Sequence, residues 1–264
     1  MRHAVLVLVV LLGASPRAAH AEWDLSVFVG QAFPTYEERL VIRLPDVPPA
    51  PGLDIQASGT PELQADGGPV FGAALAREFG IFGIELRLDV TEVALELTGV
   101  RYDITANPPV FGLSRASITV GDARLDSNHL SLVSINARLR TPGPISLVAS
   151  GGLSYLPDFE VGGSIPVAFT IDGLGTSLAQ PRLMISAEPN QSSDRWGVNG
   201  GAGLRLGGQV AAFAEARVFY FGDYDLNVAF DEAQPLVNAL LEEIEPVRFR
   251  PLIFNAVAGL VFRF

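Results

Sequence analysis

The closing stretch from Pro251 to Phe264 constrains the fold more than any other. Phe254, Ala256, Ala258, Leu260, Phe262 and Phe264 fall on one side of an extended chain. Asn255, Val257, Gly259, Val261 and Arg263 fall on the other. Side chains of a strand alternate between its faces, so a period of two over this length marks a strand with two different surroundings. One face is apolar up to a terminal aromatic. The other is small or polar and carries one charge at its tip.

The same alternation recurs along the chain. It spans Trp23 to Phe33, Val70 to Phe79, a run beginning at Ile84, Leu130 to Arg140, Ile145 to Tyr155, Trp196 to Leu206 and Gln209 to Tyr220. The run from Ile84 is the cleanest: Ile84, Leu86, Leu88 and Val90 alternate with Glu85, Arg87, Asp89 and Thr91. Its β-like pattern continues to about Thr105, past the roughly 9–11 residues a strand needs to cross a membrane, and the excess reads as a hairpin rising above it. Short turns at Gly80-Ile81-Phe82-Gly83, Thr141-Pro142-Gly143-Pro144 and Gly207-Gly208 alternate with long connections that are more apolar than loops usually are. An even number of strands with short turns at one end and long loops at the other is the pattern of a membrane barrel. The expected fold is therefore all-β: an antiparallel up-and-down transmembrane β-barrel of eight strands, with long extracellular loops. Apolar aromatics sort into two bands, as a bilayer's interfaces select. Phe33, Phe71, Tyr155, Trp196, Tyr220 and Phe254 lie near the loops; Trp23, Phe79, Phe262 and Phe264 lie near the turns.

The N-terminus reads as a secretory leader. Arg2 and His3 precede a short apolar run from Ala4 to Leu12, and Ala19-His20-Ala21 is a small-x-small cleavage site. Residues 1–21 are expected to be removed, leaving 22–264 as one barrel that reaches the bacterial outer membrane. The chain has no Cys, so neither a disulfide nor a lipid-bearing Cys is available. A formal charge of -11 argues against nucleic acid as a partner.

The closing strand resembles that of bacterial outer-membrane barrels, in which a C-terminal aromatic belongs to the signal read by the barrel assembly machinery. The matching positions are Gly259, Phe262 and Phe264. The strands, with Glu215-x-Arg217 in the seventh, resemble the small OmpA- and OmpW-like barrels. That resemblance implies outer-membrane lipid and lipopolysaccharide as surroundings. It also implies, as an alternative to a structural or surface-interaction role, a narrow passage for small hydrophobic compounds.

Eight strands enclose a space that side chains can just fill. The inward charges are Glu78, Glu85, Asp89 and Glu215 against Arg87, Arg138, Arg205 and Arg217, with Asp24 near the rim. Buried charges must be paired, so these read as an ion-pair network plugging the lumen. The alternative is a polar conduction path, for which inward glycines (Gly30, Gly72, Gly152, Gly201, Gly203) leave room. The acidic excess falls in the loops; no calcium-loop pattern is present, and no metal ligand is assigned.

Two loop features stand out. Val167 to Ile171 and Arg182 to Ser186 suggest a loop hairpin, and Asp231 to Glu245 reads as a short helix with a stripe of Leu236, Val237, Leu240, Leu241 and Ile244. His129 and Ser131 form a His-x-Ser resembling that of lipid A 3-O-deacylase barrels, which makes a lipid A-modifying enzyme a second alternative. An acidic partner is needed to orient the imidazole, and Gly143 stands where one would be expected. No catalytic residue and no cofactor are assigned.

Overall fold

A computed structural model describes residues 22–39, 42–43, 53–110, 113–127, 130–157, 160–179, 182–187, 195–222, 224–230, 243–244, 247–249 and 252–264. Eight strands form a closed ring: β1 Glu22–Pro34, β2 Glu62–Phe79, β3 Phe82–Leu97, β4 Leu130–Arg140, β5 Ile145–Leu156, β6 Arg195–Gly207, β7 Val210–Tyr220 and β8 Leu252–Arg263. Each pairs antiparallel with its neighbours in sequence. β8 returns to β1 with Val27 opposite Leu260 and Phe33 opposite Phe254. Backbone bonds between Trp23 and Phe264, 2.9 and 3.0 Å long, carry this closure to the last residue. Closure leaves no unpaired edge in the ring, the liability that open sheets must otherwise manage.

Alternation decides which side chains line the ring. Leu25, Val27, Val29, Leu86, Leu88, Ile135, Leu147, Leu204 and Leu260 are exposed on its outer wall. Asp24, Glu85, Arg87, Asp89, Asn136, Arg205 and Arg217 are buried inside. The tight turns use Gly80, Gly143 and Gly207, all with positive φ that other residues resist.

Beyond the ring the wall continues upward. β2 and β3 run on past a register shift between Gly67 and Val70, pairing Leu63 with Leu97 and Ala65 with Leu95. β2 therefore starts at Glu62, before the expected Val70. Strands Ala123–Ser127, Glu160–Ser164, Arg182–Ala187, Tyr224–Phe230 and Val247–Phe249 extend this sheet from β3, and Glu37–Arg39 joins it on β2. Its two end strands, Glu37–Arg39 and Val247–Phe249, approach within 8 Å at Cα. The long connections thus build a collar of eight strands on the ring.

Polarity inverts between the two storeys. In the collar Leu63, Leu95, Leu97, Leu125 and Val161 are buried inside, while Gln64, Glu96, Arg124 and Asp126 are exposed outside. The inversion begins within the ring, where Val70, Leu130, Leu132, Leu156, Phe219 and Ile253 fill the loop end of the lumen.

A separate five-stranded sheet lies beside the collar, in the order Leu53–Ser58, Val100–Val110, Leu113–Val120, Val167–Ile171, Gly175–Ala179. This corrects two expectations. The β3 pattern does not run unbroken to Thr105; it ends at Leu97, and the chain re-forms at Val100 in the second sheet. Val167–Ile171 pairs with Gly175–Ala179, not with Arg182–Ala187, which pairs with Glu160–Ser164 and Tyr224–Phe230. Of the expected helix Asp231 to Glu245, residues 231–242 and 245 lie outside the described residues, and Glu243–Ile244 pairs as strand with Ile42–Arg43. The leader, 1–21, also lies outside them.

The register yields a direct test. Directly opposed residues have Cβ atoms roughly 4.5–5.5 Å apart, and diagonal ones about 7–8 Å. In this cysteine-free chain, V27C/L260C should oxidise to a disulfide joining first and last strands, while V27C/A258C should not. Mobility on non-reducing gels reads the difference.

Candidate functional site

The lumen holds the densest chemistry in the described residues, in layers. At the turn end, Asp24 is fully buried and takes ion pairs from Arg205 and from Arg263 at 3.1 Å. Glu78 stands beside Arg140 at 3.0 Å and Arg263 at 3.4 Å. Arg138 sits 3.8 Å from each of Asp24, Glu78 and Glu85, a long-range balance and not a set of hydrogen bonds.

The middle layer is tighter. Arg87 grips Asp89 through two nitrogens, at 2.8 and 3.0 Å, and reaches Glu215 at 2.9 Å. Its guanidinium lies 4.0 Å from the centre of the Phe28 ring. Arg217 donates to the other side of the same Glu215 oxygen at 2.8 Å and to Glu85 at 3.2 Å. It also contacts Asn199, which donates to Asn136 and Ser154 at 2.8 and 2.9 Å. Asn136 in turn donates to Glu85 at 3.0 Å. Glu215 and Arg217, two apart on β7, thus point inward together and bridge to β3 across the barrel.

Every inward charge named from the sequence lies in this network: Glu78, Glu85, Arg87, Asp89, Arg138, Arg205, Glu215 and Arg217. Arg140 and Arg263 join it as well. Arg140 shares the parity of Arg138, so alternation alone could have placed it inside. The apolar loop-end layer is not marked by charge, although Leu130, Leu132, Phe219 and Ile253 all occupy inward positions.

The network and the greasy layer fill the lumen. A cavity of about 20 Å³ remains beside Glu85, Arg87, Arg138 and Glu215, room for one water. The inward glycines do not open it further. A Cβ on Gly72 would meet the Phe28 ring at 2.3 Å, and one on Gly201 would lie 3.1 Å from Glu215 Oε1. Their missing side chains are the space the large residues occupy.

Gly259 faces the lumen and packs against Phe28, where an added Cβ would lie 2.8 Å from its Cα; the aromatics lie on the outer wall. Phe262 and Phe264 are exposed on the turn side. Phe33 meets Phe254 at 6.1 Å, and Tyr155 meets Trp196 at 5.1 Å, both near the loop end. Phe71 and Tyr220 are exposed on the same wall. Trp23 and Phe79 flank Arg77, whose guanidinium is 5.3 Å from each ring. Arg77 takes the outward position between Leu75 and Phe79, a charge that the apolar alternation alone does not foretell. Ser131 is half-buried on the outer wall; His129 lies outside the described residues. No group of metal-ligating side chains is present among the described residues.

Compared by sequence with protein-family models and with curated proteins, the chain matches none.

Buried ion pairs cost most when one partner is removed, because the other charge is stranded. Arg87→Met should lower unfolding free energy by roughly 3–5 kcal/mol, by leaving Asp89 and Glu215 under-compensated. Asn255 is the opposite case. It is fully buried between the polar and apolar layers, and neither end of its amide finds a hydrogen-bond partner among the described residues. Asn255→Leu removes an unsatisfied group at similar size, so it should raise stability by about 1–2 kcal/mol. Urea unfolding followed by tryptophan fluorescence measures both.

Proposed function

We propose that this chain is an integral outer-membrane β-barrel with a closed lumen, serving a structural or surface-interaction role at the cell surface. The observation that carries the reading is the inversion of polarity along one continuous wall. The ring is apolar outside and charged inside; the collar is apolar inside and charged outside. Water around the whole molecule would penalise the ring's outer wall, an apolar surface far larger than the patches soluble monomers expose. Hydrocarbon around the ring and water around the collar suits both. A closed barrel also satisfies every backbone group in the ring without solvent, the requirement any membrane-spanning strand must meet.

On this reading the aromatics of the outer wall sit at the two interfaces, with lipid on one side and lipopolysaccharide on the other. Gly259, Phe262 and Phe264 serve as the signal for the assembly machinery. The packed lumen supports a plug over a pore, since neither the ion-pair layer nor the apolar layer leaves a path for ions.

The chain should refold from urea into phospholipid vesicles. On denaturing gels the unboiled protein should then run apart from the boiled one. In planar bilayers it should give no steady large conductance. Recovery of the processed chain in the soluble periplasmic fraction without detergent would overturn the membrane reading, and a stable large conductance would overturn the plug.

A further inference from the structure

The five-stranded sheet beside the collar has one polar face. Its other face carries the buried Val100 and Ile118, Val120, Val167 and Phe169, which pack towards the apolar interior. Register places three polar rows across the free face. One row is Gln56, Asp103, Ser117, Thr170 and Thr176; beside it run Ser58, Arg101 and Thr119, and Asp54, Thr105 and Arg115. Asp172 lies next to Arg115, its backbone N–H donating to the Arg115 carbonyl at 3.1 Å.

The middle of this face is hollowed into a groove of about 400 Å³, lined by Arg101, Asp103, Thr105, Arg115, Ser117, Thr170 and Asp172 among others. That is within the usual size of small-molecule sites, roughly 300–1,000 Å³. Ser117 is its floor. It is only 8% exposed, and its hydroxyl makes no hydrogen bond among the described residues. A hydroxyl that opens into the groove from a buried residue and has no protein partner there is one a ligand can engage. The walls are partly spent, with Thr170 sharing a hydrogen bond with Thr176 at 3.1 Å. Arg101 is held by Asp103 at 2.8 Å, but the heads of Arg115 and Asp172 do not pair, although their strands bring them side by side.

We infer that this groove binds a saccharide, laid across the strands and held by hydrogen bonds. Charge selects the class. Two Arg and two Asp line the groove, so a simple anion meets two carboxylates and a cation meets two guanidiniums. An apolar tail would strand all of them. Sugar hydroxyls both donate and accept, and adjacent pairs of them match a carboxylate or a guanidinium in two bonds. The hydroxyls of Thr105, Ser117 and Thr170 complete an alternating surface of donors and acceptors. Among the described residues no aromatic platform lies on this face, so recognition rests on polar geometry. The sugar can come from lipopolysaccharide of the same membrane or from a polysaccharide outside it.

The test uses the full chain folded in detergent, with saturation-transfer NMR and titration calorimetry. The probes are lipid-free lipopolysaccharide outer-core oligosaccharide and a panel of neutral gluco- and galacto-oligosaccharides. Binding is expected for at least one, with Ser117→Val and Asp172→Ala each weakening it about tenfold or more. Arg124→Ala, outside the groove, should leave it unchanged. Circular dichroism and gel mobility confirm that each variant folds. Preference for the core oligosaccharide points to the cell's own surface as the source, and preference for the others to an external glycan. Absence of binding to every probe at about 10 mM overturns the inference. So does binding that survives both groove substitutions, or displacement of the sugar by inorganic phosphate at equal concentration.

Discussion

The structure depends on how one β-wall satisfies its backbone while meeting two different surroundings. Pairing β8 back to β1 leaves no strand edge in the ring, so main-chain polarity costs nothing wherever the ring sits. Side chains are then free to divide by parity alone. In the ring that division places charge inside; in the collar it places charge outside. The switch begins at the loop end of the ring, where Val70, Leu130 and Leu132 already face inward, and continues past the register shift between Gly67 and Val70.

The inside of the ring could not be left polar and open. Arg and carboxylate groups withdrawn from water are tolerated only when each is balanced and its remaining hydrogen-bonding positions are used. The network meets this by sharing. Glu215 serves both Arg87 and Arg217, and Glu85 serves Arg217 and Asn136. Ties between β3, β4, β6 and β7 cross the lumen as well as following its wall, so they fix the barrel's cross-section. Above them the apolar layer of Leu130, Leu132, Phe219 and Ile253 closes the loop end by packing alone. Two different kinds of chemistry thus block the same channel in series.

The collar changes how the long connections are understood. They are not appendages on a barrel mouth but continuations of its strands, folded over an apolar interior as in a water-soluble sheet. This gives the second sheet a rigid base. The polar face it carries is displayed at a fixed orientation, which loops lacking such support would not provide.

Much of this was written in the chain itself. A period of two, held through segments such as Ile84 to Thr91 and Phe254 to Phe264, determines strand, face and ring, because a slip of one residue would turn Leu86 and Leu88 inward and Arg87 outward. The same parity placed Glu215 and Arg217 inside and Trp196 and Phe254 outside. What it could not determine was pairing at a distance. That Glu215 lies between Arg87 and Arg217, or that Val167–Ile171 pairs with Leu113–Val120, depends on which strands curvature brings together. Nor could alternation announce that Gly72 exists to admit Phe28. Local periodicity is a property of consecutive residues, whereas lumen filling, charge sharing and the groove around Ser117 arise between segments that meet only when the wall closes.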